Sequence, residues 1–220
     1  MVIVRAAVPP AFAFAAAFII GPHASAAGQT TWVADSGAIR FEVRNAGLPV
    51  RGTIGGLEAA ICFDPAAPES GSMVASVDPA TIETGIGMRD RHLQRRGWFE
   101  VAKYGRITMR SIRLWRSDAG FSGRFLLRMR DVEREVNIPF VFEHSRSHAR
   151  VHGSLALDRL DWGIGGKSAI LGDEVSVRVD LVLVHAGVPT AASSCEHSGS
   201  WHDDGAHGPM NPVTVQAGRE

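Results

Sequence analysis

The sequence has no excess of charge of either sign, almost no cysteine, no apolar run long enough to span a membrane and no recognisable catalytic motif. Each absence excludes something. Lys and Arg together number 23, as do Asp and Glu, and no basic block follows the first residues, so the electrostatic footprint of a nucleic-acid binder is missing. The two cysteines, Cys62 and Cys195, are too few for a disulfide framework and lack the spacing of a metal or redox motif. Cys62 lies in an apolar stretch and reads as a small core residue, with a bridge to Cys195 as the alternative. No G-x-S-x-G, H-E-x-x-H or phosphate loop occurs, and His92, His144, His148 and His152 are scattered over different segments. No nucleophile, base and oxyanion donor converge, so the expectation is a protein that is not an enzyme.

The apolar stretch from Ala6 to Ile20 covers about 15 residues, short of the roughly 20 that a spanning helix needs. With Arg5 before it and Ala24-Ser25-Ala26 after it, it reads as the core of a signal peptide over residues 1–26, and the protein is expected to be exported. Residues 27–185 are then expected to form a β domain. Residues 186–220 are expected to be a disordered polar tail, being rich in Gly, Ala, Ser and Pro and lacking a strand period.

Within the β domain, apolar residues alternate with polar ones in several stretches bounded by turn formers. Ile39, Phe41 and Val43 alternate with Arg40, Glu42 and Arg44; Phe121, Phe125, Leu127 and Met129 alternate with Ser122, Arg124, Arg128 and Arg130. Val136, Ile138, Phe140 and Phe142 form one face, as do Val151, Leu155 and Leu157, and later Val175, Val177, Val179, Leu181 and Leu183. Weaker strands are expected at 50–54, 57–63, 73–77 and 107–109. Only residues 87–104 break the rhythm, and one or two short helices are expected there, with Gly97 as a break.

About nine strands with one apolar face and no long amphipathic helix to cover it must close or fold on themselves. The expected fold is all-β: an antiparallel barrel of eight or nine strands. A closed barrel of this size can hold a small ligand; a sandwich, or a barrel filled by its own side chains, is the alternative, and the alternation is consistent with all of them.

One stretch carries more information. Thr84-Gly85 precedes Arg89-Asp90-Arg91-His92-Leu93, then Trp98-Phe99-Glu100-Val101-Ala102-Lys103-Tyr104, then Ile107-Thr108-Met109-Arg110-Ser111. With Trp32 and Asp35-Ser36 near the start, Phe63-Asp64-Pro65, Arg159-Leu160-Asp161-Trp162-Gly163-Ile164 and Leu171-Gly172-Asp173-Glu174-Val175, this resembles the YceI-like family of exported polyisoprenoid-binding barrels over about Thr31 to Val184. The sequence departs from the family pattern at Gly105 (usually Pro), Met109 and Trp162 (usually Phe), and at Asp131-Val132-Glu133 in place of a Gly-Val-Thr turn. The resemblance implies a lipocalin-like barrel in the periplasm that binds a long isoprenoid, of the quinone or polyprenyl type, or a similar fatty-acyl lipid. It supplies no catalytic residue and no cofactor beyond that lipid.

The expected lining of such a site is Phe41, Val43, Ile61, Phe63, Phe125, Leu127, Ile138, Phe140, Leu155, Val177 and Val179, with packing of the barrel ends as the alternative role for part of the set. Arg89, Asp90 and His92 are candidates for a head-group contact at the barrel mouth, against an ion-pair or capping role. Arg159 and Asp161 read as turn-fixing residues, with closing the end of a tunnel as the alternative. In the tail, Cys195, His197, His202, Asp203, Asp204 and His207 bring soft and imidazole ligands close together; His197, His202 and His207 are its metal candidates, although the spacing matches no zinc pattern. The competing reading is a filled barrel that serves in stress response or protein interaction, with this tail collecting metal. The expected partner is the apolar lipid, with no nucleic acid; transient membrane contact and a homodimer through an edge strand are compatible.

Overall fold

The computed structural model describes residues 30–186. Nine antiparallel strands follow one another: β1 (Thr31–Asn45), β2 (Leu48–Ile54), β3 (Glu58–Cys62), β4 (Ser72–Val77), β5 (Ile107–Ser117), β6 (Gly120–Met129), β7 (Val132–His144), β8 (His148–Asp158) and β9 (Leu171–His185). A single helix among the described residues, α1 (Gly87–Leu93), interrupts them between β4 and β5. The expected all-β barrel is therefore present, with one short helix in the segment that broke the alternation.

The sheet closes because β1 pairs with β9 along nearly its whole length, from Trp32 opposite His185 to Asn45 opposite Leu171. Closure joins the first and last barrel strands, leaving β2 at the sheet edge, and it encloses every inward residue at once. The other edge of β1 is shared. Its first residues, Thr31 to Val33, pair with β3, while Ile39 to Asn45 pair with β2. Eight strands thus form the barrel, and β2 is a ninth laid along the upper half of β1. A register irregularity between Ala34 and Ser36 marks where β1 passes from one neighbour to the other.

Side-chain size divides the interior into two halves. At one end Phe63 stacks edge-on against Phe121 and Phe140 at 5.0 and 5.7 Å and meets Phe142 at 4.8 Å, while Trp32 contacts Phe142 at 6.0 Å. Phe125, Leu114, Ile138, Leu181, Leu183, Ile61 and Met73 fill the spaces between them. Such edge and offset contacts satisfy the aromatic quadrupoles and leave no room for a ligand. A second, smaller cluster of Leu127, Met129, Trp162 and Ile164 sits toward the other end, backed by Trp98, Phe99, Ile107 and Val136. Trp162 donates its indole N–H to the Leu127 carbonyl at 3.2 Å. Met109 packs against both clusters.

The outer face carries cross-strand ion pairs such as Arg40–Asp180 and Arg51–Glu42, which are exposed and contribute little each. In the β6–β7 turn, the residue with positive φ is Arg130 (φ 56), so the Asp131 that replaces the family's glycine escapes that strain. Arg130 is held by a bond to the Gly163 carbonyl at 2.6 Å and by Glu100 at 3.6 Å. Cys62 is buried and disulfide-bonded; Cys195 lies outside the described residues.

The aromatic end is the main source of stability. Phe63 is 1% exposed, so Phe63→Ala is expected to lower unfolding free energy by about 3–5 kcal/mol, measured by urea denaturation.

Candidate functional site

The half of the barrel away from the Phe63 cluster is hollow. β3 and β4 have only five and six residues, against 15 in β1 and β9, so the barrel wall on their side stops short. β2 and the chain from Ile82 to Phe99, including α1, complete the wall above them. An antiparallel bridge joins Thr53 of β2 to Glu83. The resulting cavity holds about 340 Å³, within the roughly 300–1,000 Å³ of small-ligand sites.

Its wall is almost wholly apolar. Ile39, Phe41 and Val43 come from β1, Val50 and Ile54 from β2, and Leu171, Val175 and Val177 from β9; Leu157, Ile107 and Met129 complete the barrel side. Ile82, Leu93, Trp98 and Phe99 come from the covering segment. No residue of β3 or β4 lines it, and the aromatic cluster closes the barrel below. The cavity is therefore closed at its lower end, and it opens toward the cover. Three lining residues remain solvent-exposed, His92, Ser168 and Ile170, and they mark its mouth between α1 and the loop before β9.

Glycine is required where Phe41 lies across Gly52. A Cβ there would fall 2.4 Å from the Phe41 ring and 2.6 Å from the Glu83 carbonyl oxygen, so only a bare backbone lets the ring lie flat between β2 and the covering segment. Gly165 is the second such position, with φ +67 and the Trp98 ring 2.9 Å from its would-be Cβ. Its amide donates to the Gly97 carbonyl at 2.7 Å, which fastens the covering segment to the loop before β9.

That loop is shaped by Arg159, which is 5% exposed. Its guanidinium donates to the carbonyls of Gly172, Ile164 and Gly166, each at 2.9 Å, to that of Leu171 at 3.4 Å, and to the Asp173 carboxylate at 2.7 Å. The planar fork of donors suits a ring of carbonyls that would otherwise be buried without partners. Asp161 points outward and pairs with Arg134 at 3.6 Å. Arg159 fixes this loop, as its sequence context suggests, and also borders the cavity, whereas Asp161 reaches across to β7 instead.

Arg89, Asp90 and His92 are divided among roles. Asp90 accepts from the Thr84 amide at 2.9 Å and from the Thr84 hydroxyl, and so ties the start of α1 to the preceding chain. Arg89 donates Nε to the Thr84 hydroxyl at 2.7 Å and Nη2 to the Thr84 carbonyl at 2.8 Å. Arg89 and His92 line the cavity and Asp90 does not. His92 meets the Trp98 ring edge-on at 5.4 Å. Farther along, Lys103 lies over the Tyr104 ring at 4.8 Å, and the hydrogen bond to Tyr104 raises its ammonium pKa above the ordinary value.

Of the eleven residues expected to line a ligand site, Phe41, Val43 and Val177 border the cavity. Ile61, Phe63, Phe125, Ile138 and Phe140 belong to the filled end, Leu155 and Val179 pack against it, and Leu127 lies in the second cluster. Ile39, Leu157 and Val175 have the same inward alternation but were not distinguished by it. The distinguishing signal is size along a strand: β7 runs Val136, Ile138, Phe140, Phe142, and β9 runs Val175, Val177, Val179, Leu181, Leu183. In each the smaller residues lie toward the hollow end. Residues 1–26 and the tail candidates Cys195, His197, His202, Asp203, Asp204 and His207 lie outside the described residues.

The fold and site define an antiparallel β-barrel with a blind apolar cavity beneath a helical cover. Residues 31–183 match the YceI-like domain, and the chain belongs to that family. Among solved structures, it is similar to Burkholderia cenocepacia BcnA, with 21% identity, a TM-score of 0.63, and coverage of 66% of this chain and 95% of the other. A polyisoprenoid-binding domain from Saccharophagus degradans, implicated in plant cell wall breakdown, aligns with 15% identity and a TM-score of 0.56 over 71% of this chain and 99% of the other. The Campylobacter jejuni YceI protein aligns with 17% identity and a TM-score of 0.56 over 62% and 85%. At these identities the likeness is one of fold. No curated relative matches the chain.

Because Arg159 alone organises five acceptors, Arg159→Met is expected to cost about 2–4 kcal/mol of stability by leaving carbonyls unpaired. Faster amide hydrogen exchange over residues 163–171 is the local signature to measure.

Proposed function

We propose that this protein binds a long apolar chain of the isoprenoid or fatty-acyl class, and that it holds or carries this ligand without transforming it. The observation that carries the reading is the blind cavity of about 340 Å³, bounded by aliphatic and aromatic side chains. Transfer of each methylene from water to such a wall is worth about 0.8 kcal/mol, so a long chain binds there without directional bonds. The family and the Saccharophagus polyisoprenoid-binding domain support the choice of ligand class. The polar lining residues Arg89 and His92 would meet a head group near the mouth. The signal-like residues 1–26 support export to the periplasm. A wholly filled barrel, the competing reading, is disfavoured by the same cavity.

Extraction of the purified, natively expressed protein into organic solvent, followed by mass spectrometry, is expected to release one isoprenoid or acyl lipid per chain. Failure to recover such a species, together with no uptake of an added fluorescent polyprenyl probe, would falsify the reading. Leu157→Trp fills the cavity from a partly exposed wall position and is expected to weaken probe binding at least about tenfold, equivalent to roughly 1.4 kcal/mol. Its melting temperature should stay close to that of the parent.

A further inference from the structure

We infer that the mouth of the cavity is a docking surface for a bilayer containing anionic lipid, an inference that rests on the apolar-chain reading above. Five large hydrophobic residues are conspicuously exposed among the described residues: Leu48 at 70%, Ile86 at 54%, Met88 at 76%, Ile112 at 40% and Ile170 at 64%. Four of the five sit on the three segments that surround the mouth, and only Ile112, on β5, lies elsewhere. Ile170 is itself a lining residue at the opening. Leu48 is the register partner of Asn45 at the tip of the β1–β2 hairpin, and the next residue, Ala46, donates its amide to the Ile170 carbonyl at 2.6 Å. Met88 stands four positions before His92 on α1, which makes the two neighbours on the helix surface. Ile86 directly precedes α1.

Charge identifies the partner. The chain as a whole is balanced, but the three segments, residues 44–48, 82–96 and 163–171, carry Arg44, Arg89, Arg91, Arg95, Arg96 and Lys167 against only Glu83 and Asp90. Asp90 is already engaged by Thr84. A monomer that keeps aliphatic side chains in water around an opening, with basic residues beside them, has the surface of a protein that inserts a few side chains at the acyl boundary while its cations meet lipid phosphates. The geometry also suits the cargo. A chain leaving a bilayer seated on this mouth would enter the cavity without crossing water.

The test uses the full mature protein and flotation with vesicles. Binding is expected on vesicles of mixed phosphatidylglycerol and phosphatidylcholine, weaker binding on phosphatidylcholine alone, and a decline with added salt. Leu48, Ile86 and Met88 do not line the cavity. The triple variant Leu48→Glu, Ile86→Glu, Met88→Glu should therefore lose at least about tenfold in vesicle affinity, with uptake of the polyprenyl probe from solution unchanged. If that variant fails to fold, Arg91→Glu with Arg95→Glu and Arg96→Glu should show the same loss on the anionic vesicles. Parent protein that ignores the anionic vesicles, binds both compositions equally, or binds no better than the folded variants overturns the inference. So does a parent dimer in sedimentation velocity that the triple variant abolishes without any vesicle binding, because a second copy would then cover the patch. Probe uptake is scored separately, so a parent protein that takes up the probe but does not bind the vesicles overturns only the docking surface, whereas a parent that takes up no probe overturns the apolar-chain reading.

Discussion

Everything in this barrel depends on the pairing of its first and last strands. β1 and β9 run antiparallel from Trp32 and His185 at one end to Asn45 and Leu171 at the other. A sheet with one apolar face has a choice between covering that face with helices and curling until it covers itself. With one seven-residue helix among the described residues, only the second is open. Once the ends join, inward residues on all eight barrel strands face one another, and the volume they do not fill becomes the site.

How much is left unfilled follows from where the large side chains fall. Six bulky rings, from Trp32, Phe63, Phe121, Phe125, Phe140 and Phe142, gather in the half reached by the short strands β3 and β4 and fill it. The other half is walled mostly by Val, Ile and Leu of β1, β2, β8 and β9, with Phe41, Ile107, Met129, Trp98 and Phe99, and these do not fill it. Close packing is the rule inside proteins, so a hollow with apolar walls is an exception that invites a ligand. The short strands make a second exception. They leave a gap in the wall, and closing it calls for β2, the Glu83 bridge, α1 and the loop fastened by Arg159. The mouth is therefore built from the least regular parts of the chain, as binding sites on rigid scaffolds commonly are.

Polar residues here serve shape more than chemistry. Arg159 gathers five acceptors, Asp90 and Arg89 both clamp Thr84, and Arg130 holds a strained turn against Gly163. Burying such groups is tolerable because most of their bonds are made, Arg130 Nε being a buried atom left without a partner. The arrangement places cationic side chains beside an apolar opening, where they can select a ligand or a surface by charge while the cavity selects by shape and dryness.

The sequence by itself determined most of the strands and the inward face of the strongly alternating ones, because a period of two is a local property that survives without tertiary information; the family was legible from the Thr84–Ser111 and Arg159–Val175 motifs. It also placed the interruption at residues 87–104 and the turn role of Arg159. Alternation does not say how high along the barrel an inward residue sits, so Phe140 and Val177 read alike although one fills the solid end and the other borders the cavity. Height is set by the register of pairing and by the unequal strand lengths, both of which connect residues far apart in the chain. Ile54, Ile82 and Trp98 join the site for the same reason. Their segments meet only when the short β3–β4 wall leaves a gap for them to cover, and that gap exists only in the closed tertiary structure.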